Sequence, residues 1–239
     1  DHLFIYYFAK KAIYDEGYSV LVEGNLDAIS LSIYGIENVV APMGTGITEA
    51  QVLELWKASN EIVVCLDGDS AGIKAAERLS ELVLPHISAD RKMKFITLPK
   101  NADPDDFVRN SGKQAFIDLC KNAINLSEYL WIKEIKKLKI KRKKPTAEDF
   151  VTLDNNLNKI LFQIKSNGVK KNFQDYFKEN IWKLKKISNS SSKDIAENYS
   201  TETNIDYRIL VAKNYTQDKI YEYIINCEKE IISNILNCY

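Results

Sequence analysis

The sequence has little of what supports a zinc site or a disulfide framework. Its 239 residues include four cysteines, which are far apart and form no CxxC pair, and only two histidines. A structural zinc site needs several such ligands at short spacings, and a chain with 45% hydrophobic residues has enough core to fold without disulfides. We therefore expect no zinc, and reduced thiols in a cytoplasmic protein.

Long apolar runs and a targeting leader are also missing. No apolar stretch approaches the roughly 20 residues that a membrane-spanning helix needs, so the sequence predicts a soluble protein with no membrane partner. The opening residues DHLFIYYFAKK are apolar and aromatic, but they lack the basic leader and the cleavage site of a signal peptide. Because the first residue is Asp rather than Met, we expect the sequence to be a piece of a longer chain.

The net charge is zero, but the two halves of the chain differ. Residues 1–120 carry 11 Lys and Arg against 18 Asp and Glu, whereas residues 121–239 carry 22 against 15. The first half is therefore typical of a carboxylate-rich site, and the second could face a polyanion or carry solvated lysines. The basic run KKLKIKRKK at residues 136–144 is either a phosphate-contacting patch or the solvated end of a helix.

Strand and helix patterns alternate from Tyr18 onward. Apolar runs predict buried strands at residues 19–22, 39–41, 62–66 and 94–98, with helices at 25–34, 48–59 and 71–84. Such alternation predicts βαβ units, and therefore an α/β, Rossmann-like fold with a parallel sheet flanked by helices. After about Ile124 the strand patterns stop, and helical spacing predicts a helical subdomain with helices at 127–140, 150–164 and 172–187.

Acidic residues follow three of the predicted strands. The turns are EGNLD at residues 23–27, DGD at 67–69 and DPD at 103–105. Because the carboxyl ends of parallel strands meet at one edge of a sheet, we expect these carboxylates to share one cavity. Their mutual repulsion is best relieved by a hard divalent cation with oxygen ligands. For the second turn alone, helix capping by Asp69 or Ser70 is the alternative interpretation.

At these residues the sequence resembles the Toprim domain shared by topoisomerases and primases, whose marks are a glutamate after the first strand and a DxD motif after the third. The resemblance extends over VEGNLD (22–27), APMGTGIT (41–48), CLDGDSAGIKAAER (65–78) and NADPDDFVRNSGKQAF (101–116). Together these segments are similar to the bacterial replicative DNA primases of the DnaG family, over about residues 5–187. The tail CEKEIISNIL (227–236) resembles the opening of that family's helicase-binding domain.

The resemblance implies a role for each acidic residue. Glu23 corresponds to the family's catalytic glutamate, which is assigned to proton transfer and metal contact, and Asp67 and Asp69 to its catalytic, metal-binding aspartates. The implied cofactor is Mg²⁺, or Mn²⁺, and the full set of implied metal ligands is Glu23, Asp27, Asp67, Asp69, Asp103 and Asp105. Asn25 departs from the tyrosine or similar residue that is usual in the first turn.

The resemblance also implies a nucleotide-binding pair on the helix after the second turn. Lys74 and Arg78 are expected to approach a nucleoside triphosphate. For Lys74 the alternative is an ordinary exposed helix face.

The same resemblance predicts a domain order for the chain. Residues 1–17 would be a helix remaining from an upstream subdomain, 18–124 the Toprim catalytic domain, 125–187 the helical subdomain, 188–214 a linker and 215–239 the start of a C-terminal helicase-binding domain. The family's zinc-binding and basic subdomains fall outside this sequence, so we expect the fragment to have little activity by itself.

The implied function is that of a primase fragment, a DNA-directed RNA polymerase that makes short RNA primers for replication by metal-dependent nucleotidyl transfer. Its implied partners are a single-stranded DNA template, ribonucleoside triphosphates and the replicative helicase, at the replication fork in the nucleoid. Two alternatives stay open: another Toprim nucleic-acid enzyme such as a nuclease, and a catalytically incompetent binding fragment.

Overall fold

The computed structural model describes residues 2–44, 46–98, 102–138 and 145–189. Strands and helices alternate through the first half of the chain, and long helices follow. The strands are β1 (Leu3–Phe4), β2 (Tyr18–Val22), β3 (Val39–Pro42), β4 (Glu61–Leu66), β5 (Lys92–Thr97) and β6 (Ile124–Asn125). The helices are α1 (Tyr6–Glu16), α2 (Asn25–Ile33), α3 (Glu49–Ala58), α4 (Ser70–Leu82), α5 (Pro104–Lys121), α6 (Leu126–Lys137), α7 (Ala147–Gln163) and α8 (Asn167–Asn189).

The strands form one six-stranded sheet in the order β1-β3-β2-β4-β5-β6. The four central strands are parallel, and the short strands β1 and β6 close the two edges in antiparallel orientation. The prediction of an α/β fold is confirmed, and each of the four predicted strands has a counterpart. The sheet is mixed rather than wholly parallel, because both edge strands have only two residues and leave no periodic pattern in the sequence.

Helices cover the sheet, and the alternation of side chains along the strands explains how. Val20 and Val22 of β2 lie in a core cluster with Leu31 of α2 and with Val108 and Phe116 of α5. The residues between them in each strand point to the opposite face. Helices α1, α3 and α4 contact strands β2, β3 and β4. A sheet covered on both faces accounts for strands that are apolar at almost every position.

The first helix starts later than the sequence predicts. The opening residues read as one helix, but Leu3–Phe4 pair with Ala41 and Pro42 of β3 as a strand, and the helix begins at Tyr6. Ile5 turns the chain between the two with a left-handed φ of 52°. The apolar stretch is too short for periodicity to separate strand from helix, and the unpaired edge of β3 decides in favour of pairing.

Contact patterns divide the described residues into two compact units, one within 2–130 and 162–170 and the other within 131–161 and 171–189. In the second unit α7 buries Leu153 and Leu157, and α8 buries Phe177. The ring of Phe177 lies 6.1 Å from that of Phe173, one turn earlier on α8. These apolar positions form the helical subdomain that their spacing predicts. Helix α8 continues two residues past the predicted end at 187, and the rest of the predicted linker (188–214), the terminal segment (215–239) and most of the basic run (136–144) lie outside the described residues.

Two further observations concern the chain's chemistry. Cys65 and Cys120 are buried in the core of the sheet and form no disulfide. Among the described helices, none combines the length and the apolar character needed to cross a membrane.

Candidate metal centre

The register of the sheet brings the three acidic turns to one edge. Val22, the last residue of β2, is paired with Cys65, and Leu66, the last residue of β4, is paired with Thr97 at the end of β5. The chain therefore leaves the three strands at nearly the same level. A backbone hydrogen bond of 2.9 Å from Gly68 to the carbonyl of Ala102 joins the second and third turns directly.

Each of the three turns also starts a helix. Asp69 caps α4, with its Oδ1 accepting hydrogen bonds from the amides of Ala71 (2.9 Å) and Gly72 (2.8 Å). Asp103 caps α5 and accepts from the amide of Asp106 at 2.6 Å. Capping is therefore real, but it occupies only one oxygen of each carboxylate. The other oxygen can still bind a cation, so capping and metal binding are compatible.

Asp67 is the least satisfied of the acids. Its carboxylate is half-buried, and its Oδ1 is buried without a hydrogen-bond partner among the described residues. Burial raises the pKa of Asp67 to about 6, with the charges of Asp27, Glu23, Asp103 and Asp69 adding to the effect. A buried carboxylate oxygen with no donor, surrounded by other carboxylates, is the arrangement that a divalent cation satisfies. The residues present therefore fit such an ion.

Asp27 faces the same group of charges from the first turn. The pKa of Asp27 is raised, and burial is the largest cause. The hydrogen bond from the Gly24 amide acts in the opposite direction, while the charges of Asp103, Asp105 and Glu23 raise the pKa further. That hydrogen bond, 3.0 Å from the amide to Oδ2, fixes the Asp27 side chain at the start of α2. Acids from all three turns thus interact electrostatically within one cluster.

The third turn differs because its acids have partners. Asp103, Asp105 and Asp106 each offer a carboxylate oxygen within 4.8 Å of the others. Asp105 accepts from the hydroxyl of Ser30 on α2 and from the guanidinium of Arg109 on α5. Arg109 also lies 3.4 Å from Asp106. The two oxygens of Asp105 are therefore both held in place.

Gly72 explains how helix α4 approaches the second turn so closely. A side chain at this position would place its Cβ only 2.2 Å from the carbonyl oxygen of Asp67 and 2.9 Å from its amide nitrogen. Only glycine allows the two backbone segments this proximity. The G of the segment DSAG is thus part of the geometry that positions Asp67.

The predicted nucleotide-binding residues lie outside the acid cluster. Lys74 and Arg78 are exposed on α4, one turn apart. A Cβ built on Gly46 would lie 3.5 Å from Nη2 of Arg78, so this side chain reaches the loop between β3 and α3. Within the described residues neither side chain forms an ion pair, which leaves both charges accessible to an anion.

The structure adds residues that the sequence prediction does not include. Arg109 stands four residues after Asp105, a spacing that is typical of an ion pair on a helix and could have revealed it. Ser30 has no such signal, since it lies 75 positions from the carboxylate that it contacts. Asp106 joins the third turn through its oxygen beside Asp103 and Asp105.

Comparison with known proteins places this arrangement in a family. The model of a family described as Toprim-like matches residues 20–108. A DNA primase of Rickettsia bellii is 40% identical over 185 residues, which cover 77% of this chain and 30% of that protein. The chain thus spans about a third of the length of the curated relatives it matches.

Comparison with solved structures gives the same result as comparison with the curated relatives. A structure of the DnaG catalytic core superimposes with a TM-score of 0.68 at 28% identity, covering 75% of this chain and 56% of that one. A DnaG primase catalytic domain bound to single-stranded DNA gives a TM-score of 0.66 at 29% identity, with coverage of 74% and 56%. Both comparisons and the arrangement of the three acidic turns lead to the same conclusion: the chain belongs to the DnaG family of bacterial DNA primases.

Proposed function

We propose that this chain is the metal- and nucleotide-binding part of a primase that makes short RNA primers on single-stranded DNA. The observation that carries the proposal is the buried oxygen of Asp67, which has no hydrogen-bond partner among the described residues and lies at the edge where three acidic turns meet. The similarity to a primase catalytic domain bound to single-stranded DNA supports the nature of the template. The nuclease and binding-fragment alternatives are not favoured, because the matched relatives are DNA primases.

In this proposal the acids hold Mg²⁺ or Mn²⁺ between them. The proposed ligands are Glu23, Asp27, Asp67, Asp69, Asp103 and Asp105. A bound divalent cation would lower the pKa of a ribonucleotide 3′-hydroxyl and neutralise charge on the triphosphate that it attacks. Asp67 supplies the oxygen with the greatest need of a positive partner, and Asp69 and Asp103 offer the oxygens that capping leaves free.

Proton transfer is a second role proposed for Glu23, and phosphate binding is assigned to two residues outside the acid cluster. Glu23 is exposed at the end of β2 and is the proposed acceptor of the 3′-hydroxyl proton. Lys74 and Arg78, which have no ion-pair partners among the described residues, are proposed to bind the triphosphate. Because capping by Asp69 already occupies amides at the start of α4, side-chain cations rather than that helix terminus should make the phosphate contacts.

The remaining partners follow from the family. We expect the replicative helicase to bind through the C-terminal region, where residues 215–239 lie outside the described part of the chain. The finer domain boundaries stay a prediction as well.

Ribonucleotide incorporation on single-stranded DNA tests the proposed function. The 239-residue chain should be assayed alone and also extended upstream to the length of its relatives, with Mg²⁺ or Mn²⁺ present. We expect the extended chain to synthesise primers and Asp67→Asn to lower the rate by at least about 100-fold, since loss of a ligand should exceed the 10–100-fold cost typical of losing an outer-shell partner. An extended Asp67→Asn chain with wild-type activity would contradict the proposal.

A further inference from the structure

Ser30 connects two of the three helices that start at the acidic turns. It lies on α2, three residues after Asp27, and its hydroxyl donates a hydrogen bond to Oδ1 of Asp105 near the start of α5. The other oxygen of Asp105, Oδ2, accepts from the guanidinium of Arg109. One carboxylate of the cluster is therefore held from both sides, by a neutral donor on α2 and a charged donor on α5.

We propose that Ser30 is a positioning residue for the metal centre. Its hydroxyl fixes the orientation of the Asp105 carboxylate and joins α2 to α5 across the acid cluster. By doing so it sets the affinity of the cluster for a divalent cation. This inference rests on the proposed function, because it requires that the acids hold such an ion.

The physical argument starts from the number of acceptor sites on a carboxylate. Each oxygen has two lone-pair positions, so Asp105 can accept from Ser30 and still face a cation. Without that donor the carboxylate is free to rotate, and binding must then restrict a side chain that the hydroxyl otherwise holds. Outer-shell donors of this kind typically change metal affinity by 10–100-fold when they are removed.

Ser30 is a cleaner probe of this effect than Arg109. Removal of Arg109 would change both the orientation of Asp105 and the charge of the cluster, and the two effects on cation affinity oppose each other. Removal of the Ser30 hydroxyl changes the orientation alone. Alanine also favours the helix at least as well as serine does, so Ser30→Ala should not unfold α2.

The test measures Mn²⁺ affinity rather than catalysis. Dissociation constants would be determined by calorimetry on the folded chain, with titrations extended to millimolar Mn²⁺ so that weakened variants are still measured. We expect Ser30→Ala to bind about 10-fold more weakly than wild type. Ser30→Thr, which keeps the hydroxyl, should restore the affinity to within about 2-fold, and Ser32→Ala, the same change on the same helix, should have no effect.

A double-mutant cycle then asks whether Ser30 acts through Asp105. In the Asp105→Asn background, removal of the hydroxyl should weaken Mn²⁺ binding much less than in the wild type. A purely structural role predicts equal losses in both backgrounds and would overturn the inference, as would a wild-type affinity for Ser30→Ala. A wild-type chain that binds no Mn²⁺ would instead overturn the proposed function, and this inference with it.

Discussion

The turns after β4 and β5 share an Asp-x-Asp pattern, but their acids are stabilised in different ways. In the turn after β4, Asp67 has a buried oxygen without a partner among the described residues, and its pKa is raised to about 6. In the turn after β5, Asp105 has a donor on each oxygen, and Arg109 also lies beside Asp106. The same spacing thus produces one carboxylate that needs a counter-charge and one that already has it.

Asp67 and Asp105 therefore meet two different requirements of a metal centre. An unpartnered acid supplies the attraction, because a buried charge without a donor raises the free energy of the folded protein until a cation arrives. A held acid supplies the geometry, because its orientation is fixed before the cation binds. We therefore expect substitutions in the second turn, at Asp67, to change metal-dependent stability and those in the third turn, at Asp105, to change affinity through geometry.

The largest expected effect is on stabilisation by metal. Mn²⁺ at 100 times its dissociation constant should stabilise the native chain by about 2.7 kcal/mol. Asp67→Asn should abolish most of that gain while leaving the metal-free protein as stable as wild type or more so, because one repulsive charge is gone. Thermal melts with and without Mn²⁺ measure both effects.

The control for this experiment is Asp90→Asn. Asp90 is an exposed acid before β5, at the opposite end of that strand from the metal centre. The Asp90→Asn variant should therefore be stabilised by Mn²⁺ as much as wild type is. If Asp67→Asn instead melts at a lower temperature than wild type both with and without metal, Asp67 stabilises the fold and does not bind a cation.

A second expected effect tests the close approach of α4 to Asp67. Gly72→Ala should lower the free energy of unfolding by about 1–3 kcal/mol, the usual cost of overpacking, because its Cβ would lie 2.2 Å from a backbone oxygen. Chemical denaturation gives this value. Gly168→Ala is the matched control, since nothing lies within 4 Å of its added Cβ, and it should be neutral or stabilising. Equal effects of the two substitutions would refute the close contact.

A smaller effect concerns pH. The pKa of Asp67 is raised from 3.8 in the unfolded chain to about 6 in the fold, so the native state retains this proton more strongly. Its ionisation therefore costs stability as pH rises from about 4 to about 6, and the loss is complete above that range. We expect the stability of metal-free Asp67→Asn relative to wild type to increase across this window. A constant difference in urea unfolding between pH 4 and pH 7 would rule out the shift.

The smallest expected effect is on the turn after β5, where Arg109 already lies beside Asp105 and Asp106. Arg109→Gln should lower the stability of the metal-free protein by about 0.5–1 kcal/mol at low salt, because the ion pairs are partly exposed. The loss should disappear at high salt, where such pairs are screened. Lys11→Gln, which removes an exposed pair with Asp15, is the control and should cost less. A loss that persists in high salt would show that Arg109 stabilises the chain by packing rather than by charge.

The sequence predicted the parts of this site that depend on local patterns. Apolar runs indicated the central strands, and the position of Glu23, Asp67 and Asp103 after three of them indicated a shared edge. Those inferences succeed because parallel pairing forces strand ends together whatever the details of packing. The edge strands β1 and β6 were not predicted, since two residues carry no period.

Contacts between distant segments were the part that the sequence could not reveal. The hydroxyl of Ser30 meets Asp105 only because α2 and α5 pack on the same face of the sheet. Whether Oδ1 of Asp67 has a hydrogen-bond partner likewise depends on long-range packing, and the part of the chain that the structure describes provides none. The Arg109 pair was not predicted either, although its spacing of four residues from Asp105 is a local signal that could have revealed it. Contacts between distant segments therefore help to decide which carboxylates need a cation and which already have hydrogen-bond donors.

The central claim is that acids from three turns converge on one cation, and paramagnetic broadening of amide signals by Mn²⁺ tests it most directly. With substoichiometric Mn²⁺, the amides of residues 23–27, 67–70, 102–103 and 105–106 should broaden together. Those of residues 88–91, which include the exposed Asp90 at the other end of the sheet, should stay sharp. Broadening confined to one turn, or equally strong around Asp90, would contradict a shared metal centre.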